Sequence, residues 1–154
     1  MPDSNRDTIT VERFIAAPAS AIFALLADPA QHRVIDGSGT VRDADGGSQR
    51  LTLGATFGMA MKMGIGYRMI NTVVEFEEDK VIAWQPRPAS KLLGLGIGGR
   101  IWKYELESRN GGTLVKETWD IRQEKVPLFV RPMGASAKKG MEATLERIEQ
   151  TLGR

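Results

Sequence analysis

Apolar and polar side chains alternate along most of this chain, and only two stretches switch to a helical spacing. Ile9, Val11 and Ile15 alternate with Thr10 and Glu12, which predicts a half-buried first strand after a polar, flexible segment 1–7. An alanine-rich stretch beginning at Pro18 then places Ile22, Leu25 and Leu26 at helical spacing. Asp28 followed by Pro29 reads as the N-cap and first position of a second short helix. Asp36-Gly37-Ser38-Gly39 is a turn sequence. Segments 41–45 and 50–53 predict a second strand interrupted by a loop at Gly46 and Gly47.

Strand follows strand from Ala55 onward, at 56–63, 67–77, 81–85, 100–107 and 113–122. Short turns at Glu78-Asp79-Lys80 and Asn110-Gly111-Gly112 predict antiparallel hairpins. The connection 86–99 is long, with two prolines and an apolar, glycine-rich run from Leu92 to Gly99. It reads as a flap over a cavity or as an inert hairpin excursion. Ala137, Met141, Leu145, Ile148 and Leu152 line one face of a C-terminal helix whose other face is charged. Pro127 and Pro132 mark its approach and Gly153 its end.

Within the third strand, Phe57, Met59, Met61 and Met63 fall on one face. Methionine is flexible and polarizable, so this stripe lines an adaptable ligand cavity or serves as ordinary core filler. Trp102, Tyr104 and Leu106 share one face of a later strand, and Val115, Trp119 and Ile121 share one face of the last. Glu117 falls on that same apolar face, where a carboxylate must be paired, hydrogen-bonded or protonated. Arg13 has the same parity on the first strand. An Arg13 to Glu117 pair is therefore expected, either as a structural ion pair or as a polar anchor for a ligand hydroxyl or carbonyl. In the strand 67–77, Ile70, Val74 and Phe76 form one apolar set and Met69 and Val73 another, so a bulge could switch faces.

Composition narrows the chemistry. At 154 residues the chain fits one domain, 1–154, with no apolar run long enough to span a bilayer; no signal peptide is recognised, so a cytoplasmic location is expected. The absence of cysteine excludes disulfides and thiol nucleophiles, and a single histidine argues against a transition-metal site. No cofactor is expected. A net charge of +2 gives little support for nucleic acid as a partner. Gly94 to Gly99 satisfies GxGxxG, but the strand pattern after it is not the helix that a dinucleotide site needs. His32 with Asp36 offers an acid/base pair, although Asp36 opens a glycine turn and a loop hydrogen bond is the alternative.

The order of strand, two short helices, antiparallel strands and a long helix is an α+β arrangement. It resembles the helix-grip fold of the Bet v 1 and START-like (SRPBCC) superfamily, and within it the bacterial polyketide cyclase/dehydrase and lipid-transport-like proteins. The resemblance runs through Ala17-Pro18 to Ala27-Asp28, His32 with Ile35-Asp36-Gly37-Ser38-Gly39, and Asn71 with Val74, Glu75 and Phe76 leading to Trp84. It continues through Trp102-Lys103-Tyr104-Glu105-Leu106, Thr113 to Glu117, and Met141 with Thr144-Leu145. It implies a bent sheet wrapped around the last helix and a cavity lined by Phe57, Met59, Met61, Met63, Trp84, Trp102, Tyr104, Glu117, Trp119 and Met141. The first function implied is carriage of a small apolar molecule such as a lipid, isoprenoid, quinone or polyketide-like aromatic, without integral membrane association. An aromatic cyclase or dehydratase would instead use Glu117 with His32 or Tyr104 to move protons. A chaperone-cofactor or protein-interaction role is a third class on the same fold.

Overall fold

The computed structural model describes residues 7–44, 48–63, 65–90 and 98–152. β1 (Thr8–Ile15) leads into helices α1 (Ala19–Leu26) and α2 (Pro29–Ile35), then β2 (Val41–Ala44), β3 (Thr56–Met63), β4 (Ile65–Glu77), β5 (Val81–Pro88), β6 (Ile101–Arg109) and β7 (Gly112–Asp120). A short helix α3 (Pro127–Val130) and one 3-10 turn precede the long helix α4 (Gly134–Leu152). The seven strands form one antiparallel sheet in the order β1-β7-β6-β5-β4-β3-β2. The first and last strands are neighbours, as expected from the sequence. The strongly curled sheet and its long helix are the helix-grip arrangement.

Local chemistry explains most boundaries. Asp28 caps α2 by accepting from the Ala30 backbone N–H at 3.0 Å, with Pro29 at the first helical position. In α4, Met141, Leu145 and Ile148 are buried, and Ala137 and Leu152 pack half-buried against the same core. That face lies against β1, β7, α1 and α2. The proposed helix end at Gly153 lies outside the described residues.

Two expectations are corrected. Segment 50–53 is not a strand: Leu51 is fully buried and its N–H donates to Ala27 O at 2.8 Å, which ties it to the end of α1. The loop at Gly46 and Gly47 lies outside the described residues. β5 continues through Pro86 and Pro88, where it pairs with β4 alone because its register with β6 stops at Trp84. A strand lacking N–H donors is tolerated there because one side has no ladder to join. Residues 91–97 of the proposed flap lie outside the described residues, and β6 follows Gly99 and Arg100 directly.

Backbone contact between the helices depends on Gly37. A Cβ there would sit 2.4 Å from Thr144 N and 2.5 Å from Ala143 Cβ, while the Gly37 N–H donates to Thr144 Oγ1 at 2.9 Å. Gly37→Ala is expected to push the α2 end away from α4 and cost about 1–3 kcal/mol. A lower denaturant midpoint with an unchanged m-value would report it.

Candidate functional site

Strand parity places the site. Sheet register aligns Val11, Glu117, Tyr104 and Ile82 across β1, β7, β6 and β5, all on the face that α4 covers. The adjacent row runs Ile9, Trp119, Trp102, Trp84 and Val73, so all three tryptophans of the chain stand directly opposite one another on neighbouring strands. In β4 the register shifts between Val73 and Glu75, which is the face switch that the competing apolar sets suggested. Asn71 and Val73 are buried, whereas Ile70 and Val74 are exposed.

The methionine stripe has the predicted parity. Phe57 and Met59 are buried, Met61 is half-buried, and the Met63 side chain lies outside the described part of the structure. Trp84, Tyr104, Trp119 and Met141 are buried, and Trp102 is half-buried. His32, delivered by α2, stacks on Trp84 with ring centroids 4.7 Å apart and meets Phe57 edge-on at 5.4 Å. Trp84 in turn lies 5.5 Å from the Tyr104 ring. Aromatic faces thus run without a break from β3 to the hydroxyl of Tyr104.

That hydroxyl is hydrogen-bonded to Glu117, its cross-strand partner. Glu117 is 2% exposed, and its Oε1 is buried without a hydrogen-bond partner among the described residues. Burial raises the Glu117 pKa to about 8; the Tyr104 bond pulls it down and the charge of Asp36 pushes it up. Glu117 is therefore a neutral acid at pH 7, able to donate a proton from a buried position. Burial, followed by the nearby Glu117 carboxyl, drives the Tyr104 phenol well above its ordinary value.

The expected Arg13 partner is different. Arg13 does lie on the inner parity of β1, but it stands opposite Val115 and bonds Glu149 of α4 at 2.8 Å. The long arginine side chain reaches the helix that crosses β1, so Glu117 has no ion-pair partner among the described residues. This half-exposed pair contributes at most about 1 kcal/mol.

His32 and Asp36 do not form an acid/base pair. The His32 Nε2–H donates to Leu26 O at 2.8 Å, while Asp36 accepts from Ser38 N, Ser38 Oγ and Val41 N in the turn. Burial lowers the His32 pKa, so the ring stays neutral in the fold and charges in the unfolded chain below about pH 6.5. Stability should fall as pH drops below that value, and His32→Gln should flatten the fall. Denaturant titrations at pH 7 and pH 5 measure it.

Glu124 was not singled out from the sequence. Its carboxylate is buried and accepts from Gly98 N at 3.0 Å, Arg100 N at 2.9 Å and Arg100 Nε at 3.0 Å. A single glutamate in a charged loop carries no pattern that announces this role. A cleft of about 550 Å³ between β1 and α4 is lined by Thr10, Glu12, Arg13, Lys138, Lys139 and Glu142 among others. Its mixed charges and open position do not match the apolar inner face, so the Tyr104 and Glu117 row is the better candidate site. Among the described residues no three His, Asp or Glu side chains converge as a metal site requires.

A family model described as "Polyketide cyclase / dehydrase and lipid transport" matches residues 6–153. The chain belongs to this polyketide cyclase/dehydrase and lipid transport family. The uncharacterized protein Rv0088 of Mycobacterium tuberculosis is 34% identical over 148 residues, covering 91% of this chain and 62% of that protein. The chain thus spans about 62% of the length of the curated relatives it matches. Protein CV1439 from Chromobacterium violaceum shares the fold with a TM-score of 0.73 at 16% identity, covering 100% of this chain and 99% of that one. DynU16, from the dynemicin biosynthetic locus, shares it with a TM-score of 0.66 at 16% identity over 94% of this chain and 46% of that one. For this family member the description fits hydrophobic ligand binding, and no described helix is long and apolar enough to cross a membrane.

Proposed function

We propose that this protein binds or carries a small apolar ligand, such as a lipid, isoprenoid, quinone or polyketide-like aromatic, against the inner face of its sheet. The observation that carries the reading is the Glu117 Oε1, buried and without a partner among aromatic and thioether side chains. An unmatched buried polar atom costs about 1–3 kcal/mol, a cost that a ligand hydroxyl or carbonyl would offset. Phe57, Met59, Met61, Trp84, Trp102, Tyr104, Trp119 and Met141 supply the apolar surroundings, with Met63 included by its place on β3. Because the acid is neutral, it suits an uncharged acceptor better than a cation.

The same acid favours one second reading, an aromatic cyclase or dehydratase. Glu117 would hand its proton to a ligand carbonyl oxygen while Tyr104 holds the carboxyl in place. His32, bonded to Leu26 O and stacked on Trp84, acts here as a wall of the site.

Native mass spectrometry of the protein purified from its own host tests both readings. A stoichiometric apolar molecule that survives in Glu117→Gln but is lost in Glu117→Leu supports carriage with a polar anchor. A bound polyketone converted by the natural chain and left unconverted by Glu117→Gln supports catalysis. An empty protein that also ignores apolar probes sinks both and turns attention to protein partners.

A further inference from the structure

A second polar side chain stands on the inner face with nothing to bond. Asn71 lies in the middle of β4, directly opposite Phe57 of β3 and Pro86 of β5, so it shares their inward direction. It is 6% exposed, and its amide makes no hydrogen bond among the described residues. Its neighbours explain why. Met69 and Val73 flank it on the same face of β4, Phe57 and Pro86 flank it across the sheet, and none of these four side chains offers an oxygen or an N–H. His32, which meets Phe57 edge-on, has committed its Nε2–H to Leu26 O. Asparagine favours caps and turns, where its amide bonds nearby backbone; in mid-strand and unbonded, it costs stability.

Aromatic surface joins the two unmet groups. Phe57 and Trp84 have ring centroids 5.8 Å apart, Trp84 and Tyr104 5.5 Å apart, and Tyr104 bonds Glu117. A flat guest lying along those rings presents one end to the Glu117 carboxyl and the other to the Asn71 amide. A fatty-acyl or isoprenoid chain with one polar head satisfies one group and leaves the other unmet.

We propose that Asn71 is a second ligand anchor, and that the inner site selects flat molecules with a hydrogen-bonding oxygen at each end over single-headed lipids. This rests on the apolar-ligand reading above, to which it adds a second polar contact. A site built to bond a ligand oxygen discriminates against the analogue that lacks it, because its own buried group is then left unpaired.

Quenching of tryptophan emission by two matched probe pairs tests it. The first pair is dihydroxynaphthalene, with its hydroxyls at opposite ends, against naphthol; the second is the longer dihydroxystilbene, with one hydroxyl per ring, against monohydroxystilbene. In wild type the two-ended member of at least one pair should bind about tenfold tighter than its one-ended partner. Asn71→Leu, close to isosteric, should erase that advantage. It should also raise the denaturation midpoint, since it removes an unmet amide from an apolar setting. No advantage in either pair, an advantage that Asn71→Leu retains, or a midpoint that falls would overturn the proposal and leave the carrier reading standing. Wild type that binds none of the four probes would sink the carrier reading itself, and this proposal with it.

Discussion

Glu124→Ala is expected to destabilise the fold by about 3–5 kcal/mol, because it strands an Arg100 guanidinium and two backbone N–H groups that the carboxylate now satisfies. The Glu124 side chain is fully buried and that of Arg100 is 16% exposed, so water cannot replace the lost acceptor without opening the loop. Neighbouring bonds hold the same junction: Lys125 N donates to Gly98 O at 3.1 Å and Gln85 Nε2 to Gly99 O at 2.8 Å. Gly99 leaves no slack, since a Cβ there would lie 2.0 Å from Gln123 O. Glu124→Gln should cost less than alanine, as the amide oxygen can keep one acceptor role. Chemical denaturation of the three proteins at one pH checks the order, and equal stability of wild type and Glu124→Ala would refute it.

Glu117→Gln should have the second large effect, and its sign depends on pH. Unfolded, Glu117 titrates near the ordinary glutamate value of 4.5; folded, near 8. Below the first value both states are protonated and the group contributes no difference. Between the two, unfolding releases a proton, so stability falls by about 1.4 kcal/mol per pH unit, and above the second the loss is complete. The accumulated loss is on the order of 5 kcal/mol. Glutamine mimics the neutral acid and does not titrate, so its stability relative to wild type should climb from pH 5 to pH 8 and then level off. Parallel curves for the two proteins across that range would mean that Glu117 ionises normally.

His32 acts in the opposite direction. It opposes folding below about pH 6.5, where the unfolded imidazole gains a charge that the buried ring does not. The two slopes offset each other on the acid side of that value, and the Glu117 slope stands alone above it. The wild-type profile should therefore be nearly flat just below pH 6.5 and decline toward pH 8.

Periodicity made the sheet and both ends of the fold legible. The faces of β3, β6 and β7, the Asp28 cap and the apolar stripe of α4 follow from side-chain spacing that a buried face imposes. Parity also put Glu117 inside, because a lone carboxylate among Val115, Trp119 and Ile121 has few alternatives. Partners were harder to read. Arg13 and Glu117 sit on adjacent strands with the right parity, yet which acid an arginine reaches depends on the helix above it. The stacking of His32 on Trp84 joins residues far apart in sequence, and no local pattern encodes it. Glu124 was invisible because its role comes from two backbone N–H groups, which every residue but proline possesses.

The tryptophan row has an optical consequence. Every indole in the chain stands at one level of three adjacent strands, and the Trp84 ring also carries the His32 stack. Ultraviolet emission therefore originates from a single patch of the interior, with Trp119 and Trp84 shielded from bulk quenchers and Trp102 only partly so. An absorbing guest seated against that patch would darken all three emitters together, while iodide in the surrounding buffer would reach mainly one. The natural chain is thus its own fluorimeter for the inner face, with no label to attach.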